Sequence, residues 1–370
     1  MFNIKKSGAK FSAIVGIGET LRKLSAEQNT EYLMLNRGIN AVENINIQPL
    51  ISNIDFNSSE MQVYPPVKGR LKLRQAINQT FFMDSASADD IFITNGGTNA
   101  LDLVFKTIET KKVLLSSFYW GAYLNILKIN HIPFDFYKDL DFLNEHAAEL
   151  KDSAILICDP NNPTGSKLDE EELFNTIRIL DRAGAVVIID SPYRRLFLEW
   201  EQDDFYKKLL EFENVIICDS FRKSVGLSGQ RIGFVHSTNH DFMDELAINL
   251  LFATNGINNF AQILVESILT TDEGKKSANE FRKNTVSEIK KNIDFLYQNN
   301  LIANEFYGDS QPWGIFVIIN KSYDEMLKFQ IGSVPLNYFC QIPIQESSKY
   351  SRICVSIPHE KFVRFFNKML

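Results

Sequence analysis

Through the middle of the chain, short apolar and β-branched runs alternate with longer amphipathic stretches. The runs at residues 91–94, 113–116, 134–137, 154–158, 186–190, 215–218 and 232–235 read as strands. Between them, residues 101–108, 139–150 and 170–182 carry apolar side chains at helical spacing, and the last segment meets Gly184 as a helix C-cap would. This alternation predicts an α/β fold: a large domain with a mostly parallel sheet covered by helices on both faces. From about Asp272 the pattern changes to a long polar helix over 274–299, strands over 315–319 and 353–357, and a last helix near 360–370. That shift predicts a second, smaller α+β domain. The first 50 or so residues read as irregular, and no internal repeat is visible. The predicted division is 1–52 as an N-terminal segment of the small domain, 53–271 as the large domain, and 272–370 as the C-terminal part of the small domain.

Composition narrows the class of function. With 370 residues, 45% of them hydrophobic and 23% charged, the chain can bury a full core. Its 39 Lys and Arg against 46 Asp and Glu give a net charge of -7, the wrong sign for a protein that neutralises nucleic acid or an anionic membrane surface. None of the four cysteines stands at CxxC spacing, and Cys158 and Cys218 sit in strand-like runs, which fits a reduced cytoplasmic compartment. The apolar run at 11–18 is short for a secretory signal, and nothing approaches the ~20 apolar residues of a membrane span.

In open α/β sheets, functional residues collect beyond the carboxyl ends of the strands, and the informative segments stand there. After 91–94 comes Asn95-Gly96-Gly97-Thr98-Asn99, whose glycines and following helix start suit an anion, although a tight capped turn would read the same way. It lacks the Gly-Lys-Ser/Thr of a nucleotide loop. After 154–158 comes Asp159-Pro160-Asn161-Asn162-Pro163-Thr164-Gly165, a turn presenting two amides. The apolar run 186–189 ends in Asp190-Ser191-Pro192-Tyr193, and a carboxylate at the end of a buried strand needs a partner. After 215–218 come Lys223 and, eight residues on, Arg231: a possible Schiff-base nucleophile with a second cation, or a solvated basic turn. Gly16-Ile17-Gly18 lacks the third glycine of a dinucleotide fingerprint, and His236 and His240 have no companion for a metal, so no metal is expected.

In this order, the four segments resemble the class I/II aminotransferases of the aspartate aminotransferase superfamily, pyridoxal-phosphate enzymes of fold type I, over residues 64–352. The resemblance implies pyridoxal 5'-phosphate as cofactor and transfer of an amino group from an amino acid to a 2-oxo acid. It makes Lys223 the Schiff-base lysine and later the acid/base, and Asp190 the partner of the pyridine nitrogen. Asn162 and Tyr193 would bond the ring's phenolic oxygen. The phosphate would be held by Gly97, Thr98, Asn99, Ser220 and Arg231, and Trp120 would stack on the ring. Tyr64, in Tyr64-Pro65-Pro66-Val67-Lys68-Gly69, is similar to the tyrosine that reaches a neighbour's phosphate, which implies a homodimer with shared active sites. For the substrate, the resemblance implies Arg352 at the α-carboxylate, with Gly38 and Asn162 beside it. An interior tryptophan and a surface arginine are the ordinary alternatives at positions 120 and 352.

Some residues depart from the family pattern. Asp190 is followed by Ser-Pro rather than an acidic-hydrophobic pair, Arg222 replaces a small residue before the lysine, and Leu336 stands where glycine is common. These blur substrate identity rather than cofactor binding. A β-lyase, a decarboxylase, or an oxidative or cyclising enzyme would use nearly the same cofactor residues. Residues 249–254, where aspartate-specific relatives often carry an arginine, hold no cation. A neutral or aromatic side chain on the substrate is therefore expected over aspartate.

Overall fold

The computed structural model describes residues 2–308 and 310–370. Its central sheet has seven strands: Ile91–Thr94 (β1), Val113–Ser116 (β2), Phe134–Tyr137 (β3), Ala154–Cys158 (β4), Val186–Asp190 (β5), Val215–Ser220 (β6) and Gly233–His236 (β7). They lie in the order β1-β7-β6-β5-β4-β2-β3. β7 runs antiparallel to β1 and β6, and all the other pairs are parallel. Every residue of β1, β4 and β6 is buried, so both faces are covered, as their unbroken apolar runs predict. Of the two edge strands, β3 keeps Asp135 exposed.

Local chemistry fixes the elements. The helix Glu170–Ala183 starts where the Asp169 carboxylate accepts hydrogen bonds from the N–H groups of Glu171 and Glu172 at 2.9 and 3.0 Å. It stops at Gly184, which takes a left-handed φ of 78° that a residue with a side chain would resist. The sequence reading is corrected at some ends. β6 runs on through Ser220, β7 starts at Gly233 rather than Ile232, and the helix after β1 begins at Gly97 with Gly96 as its N-cap. The predicted helix over 139–150 is a short helix, Leu140–Glu145, followed by a separate turn.

The N-terminal region is not irregular: Ala13–Glu27 is a helix. Ile14, Ile17, Leu21 and Leu24 stand at helical spacing, but Gly16 and Gly18 break the sequence signal. Gly18 is required by packing, since a Cβ there would come within 2.9 Å of Asn36 Nδ2. Beyond this helix, Leu33–Met34 pairs with Ile331–Gly332, and Cys354 N donates to Leu35 O at 2.9 Å. Leu33–Met34 and Ile331–Gly332 thus form a small two-stranded sheet, tied through Leu35 O to a three-stranded one in which Ser351–Cys354 lies antiparallel between Val334–Pro335 and Phe316–Ile319. Two helices, Asp272–Gln298 and His359–Phe366, accompany this sheet. The longer one is polar by composition yet buries Phe281, Ile289 and Leu296 along one stripe.

Candidate active site

Strand register brings the motifs together. Cys158 of β4, Asp190 of β5 and Cys218 of β6 are neighbours across the sheet, so the turns that follow these strands emerge side by side. Because β7 runs the opposite way, its first residue, Gly233, pairs with both Thr94 and Ser220. Arg231, two residues earlier, therefore enters between the ends of β1 and β6. The approach is close: a Cβ on Gly233 would lie 2.6 Å from Asp219 O, and one on Gly96 would lie 3.1 Å from Arg231 Nη2. Arg231 itself sits at a φ of 57°, a left-handed conformation uncommon for arginine. Gly97 faces Ser220, whose buried Oγ has no protein partner. Two glycines, a free hydroxyl and a guanidinium thus surround one spot at the start of the helix Gly97–Thr107. Asn99 is used differently there, as its Oδ1 accepts from Asn95 N at 3.0 Å and closes the turn.

Lys223 is buried, in the single turn Phe221–Ser224 just past β6. Burial lowers its pKa well below the ordinary lysine value, and the guanidinium charges of Arg222, Arg352 and Arg231 push it the same way. Its Nζ lies 5.9 Å from the centre of the Tyr193 ring. Asn162 Nδ2 stands 3.5 Å from Tyr193 Oη, and Asn162 Oδ1 is buried without a partner.

Asp190 does have the partner that its position demands. Tyr123 Oη donates to Asp190 Oδ2 at 2.5 Å, yet burial still pushes the carboxyl up to about 6, with that bond and the Arg222 charge opposing the rise. Sequence reasoning missed Tyr123. The available signal was its place three residues after Trp120 on the same helix face; the two rings meet edge to face at 5.4 Å. Trp120 also faces Arg222, whose Cζ is 5.8 Å from its ring.

Arg352 comes from the other sheet. Of the six buried arginines, Arg70, Arg74, Arg194, Arg195 and Arg282 each pair with a carboxylate. Arg352 has no such pair among the described residues. Its guanidinium lies 4.3 Å from the Phe316 ring and 4.7 Å from the Phe339 ring, donates to Asn36 O, and leaves Nε without a partner. Burial pushes its pKa down to about 10, so it stays a cation at neutral pH. Gly38 belongs to the same packing, because a Cβ there would be 2.3 Å from Phe316 Cζ. Cys354 stands two residues after Arg352 on the same side of the strand, with its thiol 3.5 Å from Ile39 O and its pKa raised by burial. Sequence reasoning gave it no part. Tyr64 stands apart from the buried group, a residue 82% exposed.

The arrangement suits a compact polar ligand with an anionic group. Among the described residues, Asn162 Oδ1, Ser220 Oγ and Arg352 Nε are buried and unpartnered, and neither the buried Lys223 amine nor the buried Arg352 guanidinium has a carboxylate in a salt bridge. A phosphate monoester, a polar aromatic ring and a substrate carboxylate match these donors and acceptors.

Known proteins resemble this chain in sequence and in fold. The sequence profile of the family described as aminotransferase class I and II matches residues 33–361. A histidinol-phosphate aminotransferase of Thermoanaerobacter sp. (strain X514) is 27% identical over 258 residues, 66% of this chain and 70% of that protein. Another histidinol-phosphate aminotransferase, from Pyrococcus furiosus, is 30% identical over 190 residues, 50% of this chain and 51% of that protein. In three dimensions, the aspartate aminotransferase of Thermus thermophilus solved with maleate superposes with a TM-score of 0.85 at 19% identity, covering 100% of both chains. An aminotransferase from Mycobacterium tuberculosis gives 0.84 at 16% identity, covering 100% of this chain and 98% of its own.

Proposed function

The chain belongs to the class I and II aminotransferases, a family of pyridoxal-phosphate-dependent enzymes, and from that premise we propose how its own residues carry the reaction. The observation that supports the proposal most directly is Lys223, a buried amine at a strand end, surrounded by arginines and unmatched by a carboxylate. Gly97, Thr98, Ser220 and Arg231 hold the phosphate of pyridoxal 5'-phosphate, and Trp120, Asn162, Asp190 and Tyr193 hold its ring. When bound, that cofactor supplies an electron sink that allows an amino group to move from an amino acid to a 2-oxo acid.

The other steps belong to the protein. Burial and the neighbouring guanidinium charges favour the neutral form of the Lys223 amine, the form that acts as nucleophile and takes a proton from the substrate α-carbon through Nζ. Arg352 binds the α-carboxylate with its planar fork, and the Phe316 and Phe339 rings keep that fork in one plane. Asp190, oriented by Tyr123, presents its charge to the ring nitrogen.

We propose a homodimer in which Tyr64 serves the neighbouring site. Tyr64, Val63 and Phe56 are exposed, and their segment packs on residues 256–260, close to the exposed Phe252. A cytoplasmic location suits the four free, buried cysteines. We also propose the domain division at 53 and 272, with residues 1–52 on the small domain.

Borohydride reduction of the purified holoenzyme followed by peptide mapping should place the pyridoxyl group on Lys223. Adding an amino acid alone should release one equivalent of 2-oxo acid per site. A pyridoxyl group on a different lysine would reject the site assignment; continuous release of 2-oxo acid and ammonia without an acceptor would indicate a lyase, and carbon dioxide with an amine in place of the 2-oxo acid would indicate a decarboxylase. Histidinol phosphate, named for the similar enzymes, belongs in the donor panel.

A further inference from the structure

A cleft of about 710 Å³ opens at the mouth of this site. Its inner end is formed by Thr98, Trp120 and Phe339. Phe339 is the ring against which the Arg352 guanidinium stacks, and Trp120 is the ring facing Arg222. The cleft thus reaches the ring that packs on the Arg352 guanidinium and the ring that faces Arg222. Outward, the walls are Phe11 and Ile14 from the N-terminal segment, Leu124 and Ile129 from the helix Gly121–Ile129, and Tyr338 from the turn after Val334–Pro335.

These three walls are tied together. Lys10 N donates to Asn125 Oδ1 at 3.0 Å, Tyr119 N donates to Phe339 O at 2.8 Å, and Gln341 Nε2 donates to Tyr119 Oη at 2.8 Å. The cleft is thus built from segments widely separated in sequence, and its lining holds no carboxylate. Its two lysines do not charge the interior. Lys10 is exposed, and Lys128 Nζ is held 6.0 Å from the Phe134 ring on the edge strand β3.

We propose that this cleft receives the side chain of the amino acid substrate and selects a bulky aromatic one. The inference rests on the aminotransferase reading and adds the substrate class to it. An aromatic ring would meet other rings and aliphatic groups on three sides, with area to bury along the whole cleft. A short acidic side chain would lie among these groups with its carboxylate unpaired, a poor exchange for water.

The test compares unreactive ligands and reacting ones on the holoenzyme. Calorimetric titration should show 3-phenylpropionate binding at least tenfold more tightly than succinate, and kcat/KM for phenylalanine or tyrosine should exceed that for aspartate by the same factor or more. In Leu124→Asp, the preference for phenylpropionate over succinate should fall at least tenfold; Ile14→Asp provides the same comparison if the first variant does not fold. Preferences below tenfold, or reversed, overturn the inference while leaving aminotransferase activity intact, and a preference for aspartate would make Arg222 the distal cation. If no amino acid yields a 2-oxo acid, the functional reading fails and the inference fails with it.

Discussion

Replacing Arg352 by lysine tests the substrate grip without removing its charge. In the wild type, the guanidinium is buried between Phe316 and Phe339, 4.3 and 4.7 Å from their rings, with Nε free of protein partners. A carboxylate can take two parallel hydrogen bonds from that fork, each worth roughly 1.5–3 kcal/mol. Lysine offers one such bond from a more strongly hydrated point charge, and it gives up the flat stacking, worth about 0.5–1 kcal/mol. Part of the loss is recovered, because an ammonium can reorient toward the carboxylate, which leaves a net loss of about 2 kcal/mol, or roughly 30-fold in affinity. Amino acid and 2-oxo acid share the α-carboxylate, so KM should rise by similar factors for both, with a much smaller change in kcat. Steady-state kinetics on each substrate in turn reads this directly, and cofactor absorbance and melting temperature check that the variant is folded and loaded. If KM rises for only one substrate, or for neither, Arg352 does not hold the shared group.

Further consequences can be measured independently. Asp190→Asn should keep the fold and the cofactor but lower kcat on the order of 10²-fold or more, since the ring nitrogen loses its anion; near-normal turnover would contradict the role. Asp219 is buried beside Tyr206, whose Oη donates to it at 2.8 Å, and burial pushes its pKa up to about 7 from an ordinary value of 3.8. A raised acid favours the folded state while protonated, so its contribution is full below about pH 4 and is lost as pH rises toward 7. Asp219→Asn should therefore flatten the fall in melting temperature across that window, and a wild-type slope in the variant would assign the effect elsewhere. Light scattering should find a dimer, and Tyr64→Ala should weaken cofactor binding by about tenfold, the loss of one charge-assisted hydrogen bond; a fully active monomer would refute the shared site.

The sheet was legible because most of its strands are buried on both faces and appear in the sequence as apolar runs; the edge strand β3, with Asp135 exposed, is the exception. β4 and β5 match residue for residue. Strand ends were less legible where a strand continues through polar residues: β6 includes Asp219 and Ser220, because Asp219 is paired with Tyr206 and Ser220 with Gly233 in the sheet. The helix Ala13–Glu27 escaped notice for the opposite reason, since two glycines, of which Gly18 packs closely on Asn36, obscured a sound amphipathic spacing.

Within the site, the residues legible from sequence are those fixed to strand ends, whose relative positions follow from parallel topology alone. Those that escaped reading depend on contacts across elements. Tyr123 reaches Asp190 from a helix 67 positions earlier, and Asn36 receives Arg352 from 316 positions away. Buried arginines show the same limit. Arg194 and Arg195 follow β5 closely and look, in sequence, as suited to an anion as Arg352, yet both are engaged by Asp203, at 2.6 and 3.0 Å. What separates a structural arginine from one available to substrate is the presence of a carboxylate within reach, and spacing along the chain does not encode it. Arg352 is available because the strand that carries it aims its guanidinium at two aromatic rings and a backbone carbonyl, leaving its charge for a substrate anion to match.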